Sequence, residues 1–111
     1  MADIMLPEGT CGSTYKDTSD DTVHSITEKY KWSKETAGEG KRARGAILTF
    51  EVDCRFTFNS VTPTQDTGTG LGHVASSGDT VVLESWDQVN TIQWVNKVSS
   101  TNGDVIVTVL F

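Results

Sequence analysis

Cysteine and histidine are scarce in this 111-residue chain, two of each, and both shortages exclude chemistry. Zinc sites are built from clustered Cys and His, and the spacing of Cys11, Cys54, His24 and His73 offers no such cluster. No H-x-H or H-E-x-x-H pattern occurs, and no Ser or Cys stands in a nucleophile-elbow context. Convincing amphipathic helices are missing too. No apolar run approaches the roughly 20 residues that a membrane-crossing helix needs. The opening "MADIMLPEGT" has neither a basic n-region nor an apolar h-region, so we expect no secretory leader and a chain made in a cytoplasm. Positive charge is also short. Nine Lys and Arg stand against fifteen Asp and Glu, a formal net charge of -6. Nonspecific nucleic-acid binding needs cations to displace counterions from phosphate, so that class is excluded.

What is present is β-structure in a chain of one-domain size. "GAILTFEVDCRFTFNS", residues 45–60, alternates with period two: Ala46, Leu48, Phe50, Val52, Cys54, Phe56 and Phe58 share one side. Residues 46–58 would reach roughly 40 Å as one strand, longer than a small core needs. The stretch must therefore bend to serve two sheets or project past the core. "TVHSITEKYKW" alternates as well, with His24, Ile26, Tyr30 and Trp32 on one face, and predicts a strand. "DTVVLESW" and "NTIQWVNKVSS" predict two more strands flanking "DQV". Asn102-Gly103 predicts a tight hairpin into "VIVTVLF". That last segment is apolar on both faces, as a central strand or a partner-covered one would be. Residues 60–79 predict a long Gly-, Thr- and Ser-rich loop, functional or mobile. The expectation is an all-β fold: a single antiparallel β-sandwich or small barrel over residues 22–111, after an extended N-terminal arm over residues 1–21.

Candidate chemistry is thin. His24 reads as a core-edge residue and His73 as a solvated loop residue. Strand topology would have to bring Glu51, Asp53 or His24 together for acid–base work. "DTGTGLG" fails the nucleotide fingerprint because it neither follows a strand nor opens a helix. "DTSDD" lacks the spacing of a calcium loop. The sequence leaves a Cys11–Cys54 disulfide open, and a reducing compartment disfavours it. No cofactor or metal is expected. Two features point to partners. Lys41, Arg42 and Arg44 concentrate a third of the positive charge in one turn, either a solvated loop that keeps a strand end soluble or a patch suited to an acidic protein surface, where guanidinium forks pair with carboxylates. Trp86 and Trp94 flank "DQVNTIQ" as core or interface residues, or as platforms for stacking on sugars.

The stretch "VVLESWDQVNTIQWVNKVSSTNGDVIVTVLF", with its strand, Asp-containing corner and hairpin closing at the C-terminus, resembles the small all-β structural proteins of tailed-bacteriophage virions, such as capsid decoration (cement) proteins. The resemblance covers residues 23–111 as architecture. It implies a non-enzymatic virion protein assembled in the host cytoplasm. Its partners would be the major capsid protein or a neighbouring virion protein, and copies of itself as a trimer or dimer. It implies no nucleic-acid or membrane contact and no catalytic or cofactor residues. A tail or neck component, or a carbohydrate- or receptor-binding β module, is the alternative.

Overall fold

Phe50 and Cys54 are both fully buried, yet they belong to different sheets, and the residues between them carry the chain across. The computed structural model describes residues 11–33 and 40–111. Eight strands lie in two antiparallel four-stranded sheets. In chain order they are β1 (Cys11–Ser19), β2 (His24–Ser25), β3 (Gly45–Phe50), β4 (Cys54–Thr57), β5 (His73–Ala75), β6 (Thr80–Leu83), β7 (Gln93–Asn96) and β8 (Gly103–Leu110). The first sheet has the order β1-β8-β3-β6 and the second β2-β7-β4-β5. This is the expected all-β sandwich, and β3 and β4 are the long alternating stretch broken into two.

The break satisfies its own backbone groups. Glu51 N donates to Asp104 O at 3.0 Å, Lys97 N to Asp53 O at 2.8 Å, and the Ser77 hydroxyl to Glu51 O at 2.8 Å. Ser77 N donates to the Asp53 carboxylate at 2.8 Å, and Gly78 N to Phe50 O at 2.7 Å. Three loops thus converge on the corner, and none of these groups is left without a partner. Gly103 completes it by close approach: a Cβ there would lie 2.3 Å from Val52 Cγ1. Inside, the register sets Ala46, Leu48 and Phe50 against Val109, Val107 and Val105. All six are buried against Cys54, Ala75 and Trp94 of the second sheet. Each large apolar side chain so covered contributes about 1.5–3 kcal/mol.

β8 is central in its sheet, between β1 and β3, with Val105, Val107 and Val109 buried inward and Ile106 and Thr108 half-buried on the outer face. Other expectations are corrected. Residues 11–19, expected as part of the arm, form β1. Along it Tyr15, Asp17 and Ser19 share the inner face, so one apolar residue was too little to show a strand period. Residues 1–10 lie outside the described residues. The strand expected over 22–32 shrinks to β2 and a 3-10 turn, Glu28–Lys31, with Ile26 buried between them. "WDQVNT" is a helix, α1 (Trp86–Thr91). Asn102-Gly103 makes no hairpin, because β7 and β8 lie in different sheets; the positive φ of that connection falls on Ser100. Cys11 and Cys54 are both free thiols. Cys54 touches Ser19 at the far end of β1 from Cys11, roughly 26 Å along the strand.

Replacing Gly103 with Ala should lower stability by about 1–3 kcal/mol, through the clash with Val52. In urea unfolding, adding Val52→Ala should recover part of that loss. A neutral Gly103→Ala would show that the corner has slack.

Candidate docking surface

Residues 31–33 and 41–43 run antiparallel as a short ribbon. Ser33 N donates to Lys41 O and Ala43 N to Lys31 O, each at 2.8 Å, with Trp32 opposite Arg42. Strand alternation turns Lys31, Ser33 and Ala43 inward and Trp32 and Arg42 outward. Helix α1 then brings a second tryptophan to the same place. Ser85 caps it, its hydroxyl accepting from Gln88 N at 3.3 Å, while Gln88 Oε1 accepts from Glu84 N at 2.6 Å. This reciprocal bonding is a near relative of the capping box. Val89 anchors α1 in the core and leaves the Trp86 ring beside the ribbon.

The result is an aromatic and cationic platform. The Trp32 and Trp86 rings lie 5.2 Å apart, tilted by 56°, and the Arg42 guanidinium stands over Trp86 at 5.6 Å. Trp32 is 40% exposed. Its indole N–H donates to Glu28 Oε1 at 3.2 Å, and Glu28 Oε2 pairs at 3.2 Å with the buried Lys31 ammonium. The Trp32 hydrogen bond and then Lys31 hold the Glu28 carboxyl below its usual range. Lys31 also donates to Asn90 Oδ1 at 3.3 Å. A buried ammonium needs such partners, and these tie the ribbon to both the 3-10 turn and α1.

Of the sequence candidates, Arg42 and Trp86 meet here, and Lys41 and Arg44 are exposed on the same ribbon. Trp32 joins them with no signal in the sequence, because only the Trp32–Arg42 pairing puts its ring on this face. Trp94 is corrected. It is fully buried, packs edge-on against Phe50 at 6.1 Å and donates its indole N–H to Thr18 O at 3.0 Å, so it presents nothing to a partner.

No family model, curated protein or solved structure matches this chain.

Elsewhere the polar clusters hold loops. Asp21 accepts from Ser100 N, Gln65 and the buried Asn96 at 2.9, 2.9 and 3.0 Å. Asp66 bridges Arg55 at 2.8 Å and Lys97 at 2.6 Å, laying the 60–72 loop on the outer side of β4 and β7. The long loop is thus pinned along its length, and β5 occupies its second half. Asp20, Thr22 and His24 mimic a catalytic constellation without its wiring. One nitrogen of His24 faces both partners, at 2.8 and 3.2 Å, and the Thr22 hydroxyl donates to Asp20 rather than to the ring. No group of three or more His, Cys, Asp or Glu that could hold a metal occurs among the described residues. A groove of about 470 Å³ between Thr57, Phe58, Val61, Leu71, Gly72 and His73 is mostly apolar, and His73 is its one titratable side chain.

Trp94→Ala should cost about 3–5 kcal/mol, because it empties the core. Trp32→Ala should change stability far less and lower mainly the solvent-exposed part of the fluorescence. A large loss from Trp32→Ala would mean that the platform is part of the core.

Acid should release the loops. Hydrogen bonds from Thr22, with His24 behind them, hold Asp20 at about 2; Asp21 and Asp66 are lowered by Ser100 and by Lys97 respectively. A depressed carboxylate pKa contributes stability above its unfolded value, near 3.8, that is lost as pH falls through the folded one. Melting temperature should therefore drop between about pH 4 and about pH 2. Asp66→Asn should melt lower at neutral pH and show a shallower acid slope. An unchanged slope would remove Asp66 from this account.

Proposed function

We propose that this chain is a non-enzymatic structural protein of virions that docks on the major capsid protein, or on another virion neighbour, through the face made by Trp32, Lys41, Arg42, Arg44 and Trp86. Decoration of the head, as a cement protein, is the first choice, and a tail or neck component the second. One observation carries the docking reading: an exposed tryptophan and arginines that form no ion pair among the described residues stand together on a ribbon outside the sandwich core. Tryptophan and arginine dominate the binding energy of protein interfaces. Exposed cations in an acidic chain favour a carboxylate-rich partner. The virion setting comes from the sequence resemblance alone. The all-β sandwich is the part of that likeness the fold shares, while the closing hairpin it included is absent, since β7 and β8 lie in different sheets. Many identical contacts on a lattice would make modest individual affinity sufficient.

A carbohydrate- or receptor-binding module is the second reading, favoured by the exposed Trp32 ring. It is the weaker one, since the Arg42 guanidinium already occupies a face of Trp86 and Trp94 is buried.

Cosedimentation with candidate capsid shells, at low and high salt, tests the first reading. Wild-type chain should pellet with shells, and the variant K41E/R42E/R44E should bind at least tenfold more weakly, with the gap narrowing as salt rises. Binding that ignores both the reversal and the salt would sink the docking face. Glycan-array binding lost on Trp32→Ala in a folded protein would favour the second reading instead.

A further inference from the structure

Six of the nine cations fall between residues 29 and 44: Lys29, Lys31, Lys34, Lys41, Arg42 and Arg44. The other three are committed to carboxylates, Lys16 to Asp104 at 3.7 Å and Arg55 and Lys97 to Asp66. Cations open to a partner are therefore confined, among the described residues, to the ribbon and the turn before it. The same stretch holds Glu28, Glu35 and Glu39, and Glu84 and Asp87 belong to this end as well; Glu28 is already paired with Lys31. Lys41, Arg42 and Arg44 form no ion pair among the described residues.

The opposite charge gathers at the corner. Backbone bonds join Glu51 to Asp104 and Phe50 to Asp79, and the Asp53 carboxylate accepts from Ser77 in the turn before Asp79. Glu51, Asp53 and Asp79 are exposed and have no cation partner among the described residues; Asp104 has Lys16 alone. Arg44 adjoins the first residue of β3, and Glu51 follows its last. One strand of six residues thus has a basic, aromatic ribbon at one end and an acidic corner at the other, roughly 20 Å away. At physiological salt that separation exceeds the screening length of about 8 Å, so the two ends do not neutralise each other within a molecule. Between molecules they can meet.

We propose that copies of this chain associate head to tail, the Lys41–Arg44 ribbon of one docking on the Glu51–Asp53–Asp79 corner of the next. The partner of the docking face named above is then a second copy, and the proposal rests on that face being an interface. Such an interface uses two different patches of each molecule. It closes into a ring if the rotation permits and otherwise grows as a row. Guanidinium forks over carboxylates supply orientation and on-rate, and the Trp32 ring supplies apolar area beside them.

The test is complementary charge reversal in the full chain, read by light scattering and sedimentation at low and high salt. Wild type should associate at low salt and dissociate as salt is raised. The ribbon variant K41E/R42E and the corner variant E51K/D79K should each remain monomeric alone, with melting curves showing that both are folded. Mixed one to one they should associate again, because each then offers the charge that the other lacks. A single limiting mass or a mass that grows with concentration both support the contact. A wild type that stays monomeric at low salt overturns it, as does a mixture that fails to associate. If wild type is monomeric yet capsid shells still bind it through the ribbon, the self-association falls and the docking face survives. If the ribbon reversal alters neither measurement, both fall.

Discussion

One strand shared by two sheets is the constraint on which this molecule turns. β3 and β4 come from a single alternating stretch, and no straight strand can pack its apolar side against itself. The chain breaks after Phe50 and resumes at Cys54, so that Phe50 and Phe56 end up stacked 6.1 Å apart with their planes within 12°. That break exposes backbone groups that a sheet would have satisfied, and the loops exist largely to satisfy them. Ser77, Gly78, Lys97 and Asp104 each give or take a hydrogen bond there. Gly103 must lack a side chain for Val52 to fit. The connections are therefore fixed by the crossing, whatever else they do.

The same crossing explains what could be read in the sequence. Period two was clear where a strand buries hydrophobic residues on one side, as in β3; β8 was legible instead as a continuous apolar run, its inner valines buried and its outer Ile106 and Thr108 half-buried. A 40 Å strand was physically awkward, and the bend was the way out. β1 was illegible because its inner face is Tyr15, Asp17 and Ser19. These are held by the Tyr15 ring stacked on Tyr30 at 4.0 Å and by pairing with β8 rather than by greasy alternation. Asn102-Gly103 carried a hairpin signal, but tertiary demand overruled it. Asn96 is fully buried and spends its amide on Asp21, Thr101 and Asn102, which draws the connection across the end of the sandwich instead of folding it back.

The docking residues were half legible for a related reason. The basic run stood out by composition, yet only pairing across the ribbon reveals that Trp32 shares its face. Helix α1 was hidden by its six-residue length, although Ser85 and Gln88 stand at capping-box spacing. Without that helix Trp86 and Trp94 looked equivalent. Eight residues apart, they end in opposite roles, one beside the ribbon under a guanidinium and one at the centre of the core.

Fold and surface charge are separable here. Lys41, Arg42 and Arg44 make no ion pair among the described residues, and at the corner Glu51 bonds through its backbone while the Asp53 and Asp79 carboxylates accept from backbone amides rather than from side-chain cations. Clustering like charges costs a little stability through repulsion, and mixing them along the surface would relieve it. Nothing in the packing of either sheet requires six cations within sixteen residues of an acidic chain. The arrangement has a physical use once a second surface of opposite sign arrives, and β3 itself holds such a surface at its other end. A rigid strand makes the spacing between the two patches the same in every copy. That constancy lets many weak contacts add up along an assembly instead of averaging away.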